Sequence, residues 1–261
     1  RQMCIRDRLL LGERLNFFRD GVNHMLRKLD HRYMGGAVYD WLETTYHFSF
    51  ADYYNEANIN FGVLRVLNDD MIAPHTGFDT HPHKDMEIIT YVVEGELTHK
   101  DSMGNVGILK RGQMQYMSAG TGITHSEYNN TDVPLRLLQI WIVPDKRGHQ
   151  PTYGEYHFDW EARHNQWLHM VSDIHEDAPI TINQDVNIYT ILLDEGNIAD
   201  INVAFGRQAY LMQIEGFSTV NEIAVKEKDA IEIIEDNIHI EATHTSHFIV
   251  IDMPKSSHPY M

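Results

Sequence analysis

Glu87-Ile-Ile-Thr-Tyr-Val-Val-Glu-Gly-Glu-Leu-Thr-His-Lys-Asp-Ser-Met-Gly-Asn-Val-Gly-Ile-Leu-Lys-Arg-Gly-Gln-Met-Gln-Tyr-Met117 holds four strand-like runs and the turns between them. Residues 87–93 are β-branched and aromatic, and Glu94-Gly95 ends them. Residues 96–100 run to the turn at Asp101-Ser-Met-Gly-Asn105. Residues 106–110 stop at Arg111-Gly112, and residues 113–117 run into the glycine-rich turn Ala119-Gly-Thr-Gly122. Outward from this block, Phe61-Gly-Val-Leu-Arg-Val-Leu67 reads as a strand ended by Asn68-Asp-Asp70. Leu135–Val143 closes the series before Pro144. Long amphipathic helical patterns are missing from this part, which excludes a β-α-β arrangement and leaves a sandwich or barrel. A polar connector rich in His and Tyr covers 145–166. A second strand series follows at 186–193, 199–205, 210–214, 230–234 and 248–251. The two halves read as two copies of one all-β architecture.

Composition narrows the function classes. The chain has 261 residues and a formal charge of −17, which repels phosphate backbones and anionic membrane surfaces and so argues against nucleic-acid or membrane binding. No apolar run reaches the roughly 20 residues that span a bilayer. Cys4 is the only cysteine, so no intramolecular disulfide is possible, and a reducing cytoplasm is expected. A metal site would have to use His and carboxylate ligands. Residues 1–24 carry five Lys/Arg against three Asp/Glu, in contrast with the acidic remainder, and Met25 reads like a normal start. The expectation is a non-native or disordered leader over 1–24; the alternative is an amphipathic helix around Leu9–Arg27.

Thr80-His-Pro-His-Lys-Asp-Met-Glu87 carries the strongest chemical signal. In extended chain, side chains at i and i+2 share a face, so His81 and His83 can point at one centre. Pro82 stiffens the backbone between them. Glu87 lies at an even offset and can face the same way. Ser118-Ala-Gly-Thr-Gly-Ile-Thr-His-Ser-Glu127 supplies a second i, i+2 pair, His125 and Glu127, delivered by a turn that Gly120 and Gly122 permit. A lone His-x-His in an acidic chain is usually incidental. Two such pairs on either side of one strand meander point to a divalent first-row metal.

The strings around these residues carry a family likeness. Gly77-x3-His81-x-His83-x3-Glu87-x7-Gly95, then Gly112 and Gly122-x2-His125-x3-Asn129, resemble the two cupin motifs. The fuller strings Phe78-Asp-Thr-His-Pro-His-Lys-Asp-Met-Glu-Ile88, His99-Lys-Asp-Ser-Met-Gly-Asn105, Met117 to Glu127 and Leu138-Gln-Ile-Trp-Ile142 resemble the pirin family, in its bacterial quercetin-dioxygenase-like branch. Trp41 and His47-Phe-Ser-Phe50 fit as well, and the likeness runs from about Met25 to Pro254. Ser118 stands where the general cupin motif has Pro, a change that pirin-like sequences share. His75 stands where relatives often carry Gly and reads as a surface residue.

The resemblance implies a bicupin of two double-stranded β-helix (jelly-roll) barrels packed together. A metal-binding domain would occupy 25–160, and a cupin-like domain without a complete site 161–261. His239, His244 and His247 show no ligand pattern of their own. The family's ligands fall on His81, His83, His125 and Glu127, which leaves Glu87 to orient a ligand or a water. The metal implied is one Fe(II), with Cu, Ni, Mn, Co or Zn as alternatives. The implied activity is quercetin 2,3-dioxygenase: a flavonol and O2 react, the central ring opens and carbon monoxide leaves, with Glu127 taking the substrate's hydroxyl proton. Phe48, Phe50, Met86 and Ile88 are candidate pocket residues, with core packing the commoner role. Alternatives are a non-enzymatic, redox-sensing regulator that binds a protein partner, and an oxygenase of another small aromatic substrate. A monomer is the default expectation for a bicupin.

Overall fold

The computed structural model describes residues 14–19 and 22–256, with side chains described from Leu26 onward. The chain is almost wholly β. Strands β1 (Arg14–Arg19) and β2 (Val22–Leu29) precede β3 (Gly35–Val38), β4 (Leu42–Tyr46), β5 (Leu64–Ile72) and β6 (Thr76–His83). Then come β7 (Glu87–Glu94), β8 (Glu96–Asp101), β9 (Val106–Lys110), β10 (Met114–Ser118), β11 (Ile123–Asn129), β12 (Leu135–Ile142) and β13 (Thr152–Tyr156). After them run β14 (Leu168–Ser172), β15 (Ile180–Thr181), β16 (Asn187–Leu193), β17 (Ile198–Asn202), β18 (Arg207–Glu215) and β19 (Phe217–Val220). The last four are β20 (Ile223–Lys226), β21 (Ala230–Ile234), β22 (Asn237–Ala242) and β23 (Ser246–Pro254).

These strands fall into two compact units. One contains residues 35–160 and 171–185; the other contains 14–34, 161–170 and 186–256. In the first unit a seven-stranded sheet, β13-β10-β7-β12-β5-β4-β3, faces a four-stranded sheet, β6-β11-β8-β9. At one end the interior is apolar: Leu42, Ile72, Val92, Leu97, Leu109, Leu135 and Leu137, with Trp41 and Phe78 against them. A smaller cluster holds Ile88, Met117, Ala119 and Ile123, with Met86 and Trp141 packed on it. In the second unit β1-β2-β21-β18-β23-β16 form the larger sheet and β17-β22-β19-β20 the smaller. Its core is mainly aliphatic, built from residues such as Ile191, Leu211, Ile231, Ile238, Ile240 and Val250 around Phe248.

Several sequence expectations change here. Asn68-Asp-Asp70 is no strand end. β5 runs straight through it, and Asp69 and Asp70 are buried. Arg136 on β12 reaches back with Nε and Nη2 at 2.9 and 2.7 Å from the two oxygens of Asp69. A bidentate cation satisfies what would otherwise break the strand. Phe61 and Leu64 form a turn instead, so the strand starts later than its apolar run. The connector 145–166 contributes β13, which pairs with β10 at the sheet edge; one hydrogen-bonded neighbour and little burial explain its polar sequence. The segment 14–19 and 22–29 is a β-hairpin, so the amphipathic helix is not formed over those residues. β2 continues onto β21, with Leu26 and Leu29 buried. Residues 1–13 and Cys4 among them lie outside the described residues. Among the described residues, no helix is long and apolar enough to cross a membrane.

Candidate metal centre

β6 and β11 pair antiparallel, and the register sets His125 opposite His81 and Ile123 opposite His83. Opposed residues share a face, so the two sequence pairs meet inside the barrel. Gly77 makes the pairing possible: a Cβ there would collide with the backbone of Glu127 and Tyr128. Gly120, at φ 43°, turns the chain into β11, and a Cβ there would strike the His149 carbonyl. The register slips between His125 and Glu127, where β6 carries one extra residue. That bulge brings Phe78 onto the same interior face as His81 and His83.

The imidazoles of His81, His83 and His125 stand with ring centroids 4.5 to 4.9 Å apart. One nitrogen from each can be chosen so that all three lie within 4.8 Å of one another. His81 Nδ1 lies 2.7 Å from the Asp79 carbonyl oxygen. A carbonyl only accepts, so Nδ1 carries the hydrogen and Nε2 is left with its lone pair. Burial, with His81 adding to it, pushes His83 down to about 4. Burial and the neighbouring His81 and His83 push His125 down to about 2. Both are neutral donors at any ordinary pH.

Glu127 lies deeper. It forms a second group with His99 and His125, again with donor atoms within 4.8 Å. Its Oε1 accepts from Thr90 Oγ1 and Gln115 Nε2, each at 2.7 Å, and its Oε2 accepts from Gln139 Nε2. Burial pushes the carboxyl up to about 7, against the pull of these three donors. The donors come from one row of the large sheet. Gln115 is opposite Thr90, Thr90 opposite Gln139, Gln139 opposite Asn68, and Asn68 opposite Tyr46. The row crosses β10, β7, β12, β5 and β4 at one level.

A cavity of about 200 Å³ opens above this floor. Leu42, Tyr46, Phe50, Phe78 and Trp141 form its walls, and all four sequence candidates line it. Trp141 stands edge-on to both His83 and Phe50, with centroids 4.9 and 5.5 Å apart. Of the suggested pocket residues only Phe50 lines the cavity. Phe48 is buried, and Met86 and Ile88 pack in the smaller apolar cluster. Glu87 is buried elsewhere: it accepts from Ser118 Oγ at 2.7 Å and from Asn183 N and Nδ2 at 3.3 Å, tying the segment 171–185 to the barrel. His75 is exposed and pairs with Asp132. In the second unit His239 pairs with Asp200 and Glu241 at the surface, and His247 is held by Thr190 and Glu215. Neither joins a cluster of three donors among the described residues.

The donor set fits a divalent transition metal. Both ring nitrogens of His125 are buried without a hydrogen-bond partner, a costly arrangement that a cation relieves. Neutral imidazoles and one carboxylate suit first-row divalent ions.

With the geometry in place, comparison with known proteins is direct. The pirin pattern matches residues 27–142, and the pattern of the quercetinase C-terminal cupin domain matches residues 162–253. The chain belongs to the pirin family. This pirin is 40% identical over 233 residues to a protein of Escherichia coli named quercetin 2,3-dioxygenase, covering 88% of this chain and 98% of that one. It is 39% identical over 221 residues to a pirin-like protein of Caulobacter vibrioides, covering 84% and 95%. Among solved structures, the bacterial pirin YhhW of E. coli in complex with nickel(II) superposes with a TM-score of 0.83 at 36% identity, over 89% of this chain and all of that one. The bicupin architecture expected from the motifs is the one found.

Thr90, Gln115 and Gln139 are given no role by the sequence motifs, and His99 enters them only as part of a family string. A signal for them is nonetheless present: Thr90, Gln115 and Gln139 are lone polar residues at inward positions of apolar strands, and a buried polar group is the informative one.

Proposed function

We propose that this pirin is a quercetin 2,3-dioxygenase: a metal-dependent enzyme that opens the central ring of a flavonol with O2 and releases carbon monoxide. The observation that carries the reading is a cavity walled by flat aromatic side chains that ends on three imidazoles and a buried carboxylate. The names of its relatives in E. coli point the same way. His81, His83, His125 and Glu127 would hold the ion. Iron(II) is our first assignment; the nickel(II) complex of YhhW supports a divalent ion without selecting iron. When bound, the metal would supply Lewis acidity and open positions for substrate and dioxygen.

The protein's own part is proton transfer, orientation and exclusion of water. Glu127 accepts the flavonol hydroxyl proton: burial favours its protonated form, and a hydroxyl acidified by the same bound cation would offset that cation's opposite pull on the carboxylate. Thr90, Gln115 and Gln139 hold its oxygens in place, so the base does not rotate away. Phe50, Phe78 and Trp141 present faces and edges to a planar aromatic substrate and keep the floor dry. The single cysteine, which allows no intramolecular disulfide, favours a cytoplasmic enzyme, which we take to act as a monomer.

The test is reconstitution with iron, copper, nickel, manganese and cobalt in turn. Bound metal is measured, and quercetin loss and carbon monoxide release are followed under oxygen. Turnover in at least one form is expected. No turnover in any fully loaded form sinks the proposal.

A further inference from the structure

His99 and Asp101 lie on β8, beside β11. Glu127 is opposite His99 and His125 is opposite Asp101. His99 is therefore delivered to the barrel interior, where it is completely buried. Its ring stacks on Tyr153, with centroids 4.3 Å apart and planes 11° from parallel. Its Nε2 lies 3.3 Å from Asp101 Oδ2. Asp101 is itself fixed by its turn: Oδ1 accepts from the N–H groups of Met103 and Asn105 at 2.9 and 3.0 Å, and Oδ2 from Asn105 Nδ2 at 2.8 Å. Asp101, Met103 and Asn105 thus hold the imidazole of His99 in place, and no step of the proposed reaction uses it.

A count of donors and acceptors says what that imidazole is for. The carboxylate of Asp101 only accepts, so His99 Nε2 carries the hydrogen and Nδ1 is left as an acceptor. His99 Nδ1 is buried without a partner. So are both ring nitrogens of His125, whose ring centroid is 5.3 Å from that of His99. A metal can take one nitrogen of His125. The other then keeps its hydrogen in a dry site, and an unpaired buried N–H is costly. Glu127 would be committed to the metal, with Thr90, Gln115 and Gln139 on its other lone pairs.

We propose that His99 is a positioning residue whose Nδ1 accepts the ring N–H of His125, so that the chain Asp101–His99–His125 fixes which nitrogen of His125 is offered to the metal. This inference rests on His125 being a ligand, as in the functional reading above. The two rings are adjacent but not hydrogen-bonded to each other in the structure, and the bond would form when a metal fixes the ring of His125. Outer partners of this kind orient a ligand ring and raise its basicity, so their loss weakens metal binding itself.

The test measures zinc(II) affinity by chelator competition for the full chain and for H81A, H99F and H99Q. H99F keeps a ring to stack on Tyr153 and lacks the acceptor; H99Q restores an acceptor oxygen. H99F is expected to bind zinc about 10- to 100-fold more weakly than wild type, with H99Q between them. Nitrogen-15 NMR of the zinc-loaded wild-type protein, which needs no variant to fold, is expected to show His99 protonated on Nε2 and free of both proton and metal on Nδ1. Wild-type affinity in H99F while H81A loses zinc overturns the inference alone. So does a proton, or a metal-bound nitrogen shift, at His99 Nδ1. Wild-type affinity in H81A overturns the ligand set and this inference with it.

Discussion

In the first barrel, Gln115, Thr90, Gln139 and Asn68 cross the middle of the large sheet, and β11 sets His125 and Glu127 against them. In the second, the central row is Ile231, Leu211 and Val250 across β21, β18 and β23, and β22 turns Ile238 and Ile240 inward. The strand orders run in parallel: β10-β7-β12-β5 in one barrel, β21-β18-β23-β16 in the other. One scaffold therefore accepts either filling. Hydrocarbon filling contributes about 1.5–3 kcal/mol per buried side chain. Hydrogen bonds among buried polar groups contribute about 1 kcal/mol each, and any group left unpaired subtracts. Thr44 Oγ1, Asn68 Oδ1 and Gln139 Oε1 are buried without partners in the first barrel; in the second, both side-chain atoms of Gln208 are, away from its central row. The difference teaches that the first barrel keeps a polar floor where the second keeps hydrocarbon, and a cation bound there would offset part of the cost of burying polar groups.

The sharpest break of this contrast is to remove a donor from one barrel and a histidine from the other. His125→Ala is expected to abolish metal binding and bring quercetin turnover to background, with the β signature in circular dichroism retained. His247→Ala in the second barrel is expected to leave bound metal per chain unchanged, as metal analysis of the purified variants would show. Full metal and full rate in His125→Ala would mean the ligand set is wrong. Next in size, Glu127→Gln is expected to lower kcat by about 10²- to 10⁴-fold, the usual cost of losing a positioned base. Steady-state kinetics at saturating metal measures this.

The remaining expectations concern stability and protons. Ile231→Ala opens a cavity in the aliphatic row and is expected to cost about 2–5 kcal/mol in denaturant unfolding while zinc affinity stays at its wild-type value. Zinc at a hundredfold excess over its Kd is expected to stabilise the protein by about 2.7 kcal/mol, an effect that His125→Ala loses. The smallest signal is the proton. Burial raises Glu127 to about 7, so below that pH a metal must displace its proton, and affinity rises with pH up to about 7. His83 and His125, pushed down to about 4 and 2, add no such competition above pH 5. At pH 6 the wild type should release about one more proton per zinc than Glu127→Gln, and at pH 8 the difference should vanish. Calorimetry in buffers of different ionisation enthalpy reads it directly.

Much of the molecule is legible in its residue pattern. Alternation and turn residues mark most strands of the first barrel, and the spacing marks His81, His83 and His125 as candidate ligands, with Glu87 or Glu127 as the carboxylate. Asn68-Asp-Asp70 misleads because its acidity is cancelled by Arg136, a residue 67 positions away for Asp69. β13 misleads because an edge strand need not be apolar. Spacing alone leaves Glu87 and Glu127 as equal carboxylates. In the fold Glu127 faces the cavity, while Glu87 holds Ser118 and Asn183.

The sequence by itself determined the local facts: the strand periodicity, the glycines where the backbone turns or closes on a neighbour, and the residue types that can bind a cation. These depend on a few consecutive residues and the pleat of an extended chain. Only the tertiary structure decided which polar residues converge. The row from Gln115 to Tyr46, the three donors on Glu127 and the placing of His99 beside His125 all depend on strand register between distant segments, and a shift of one residue would turn each of them to the opposite face.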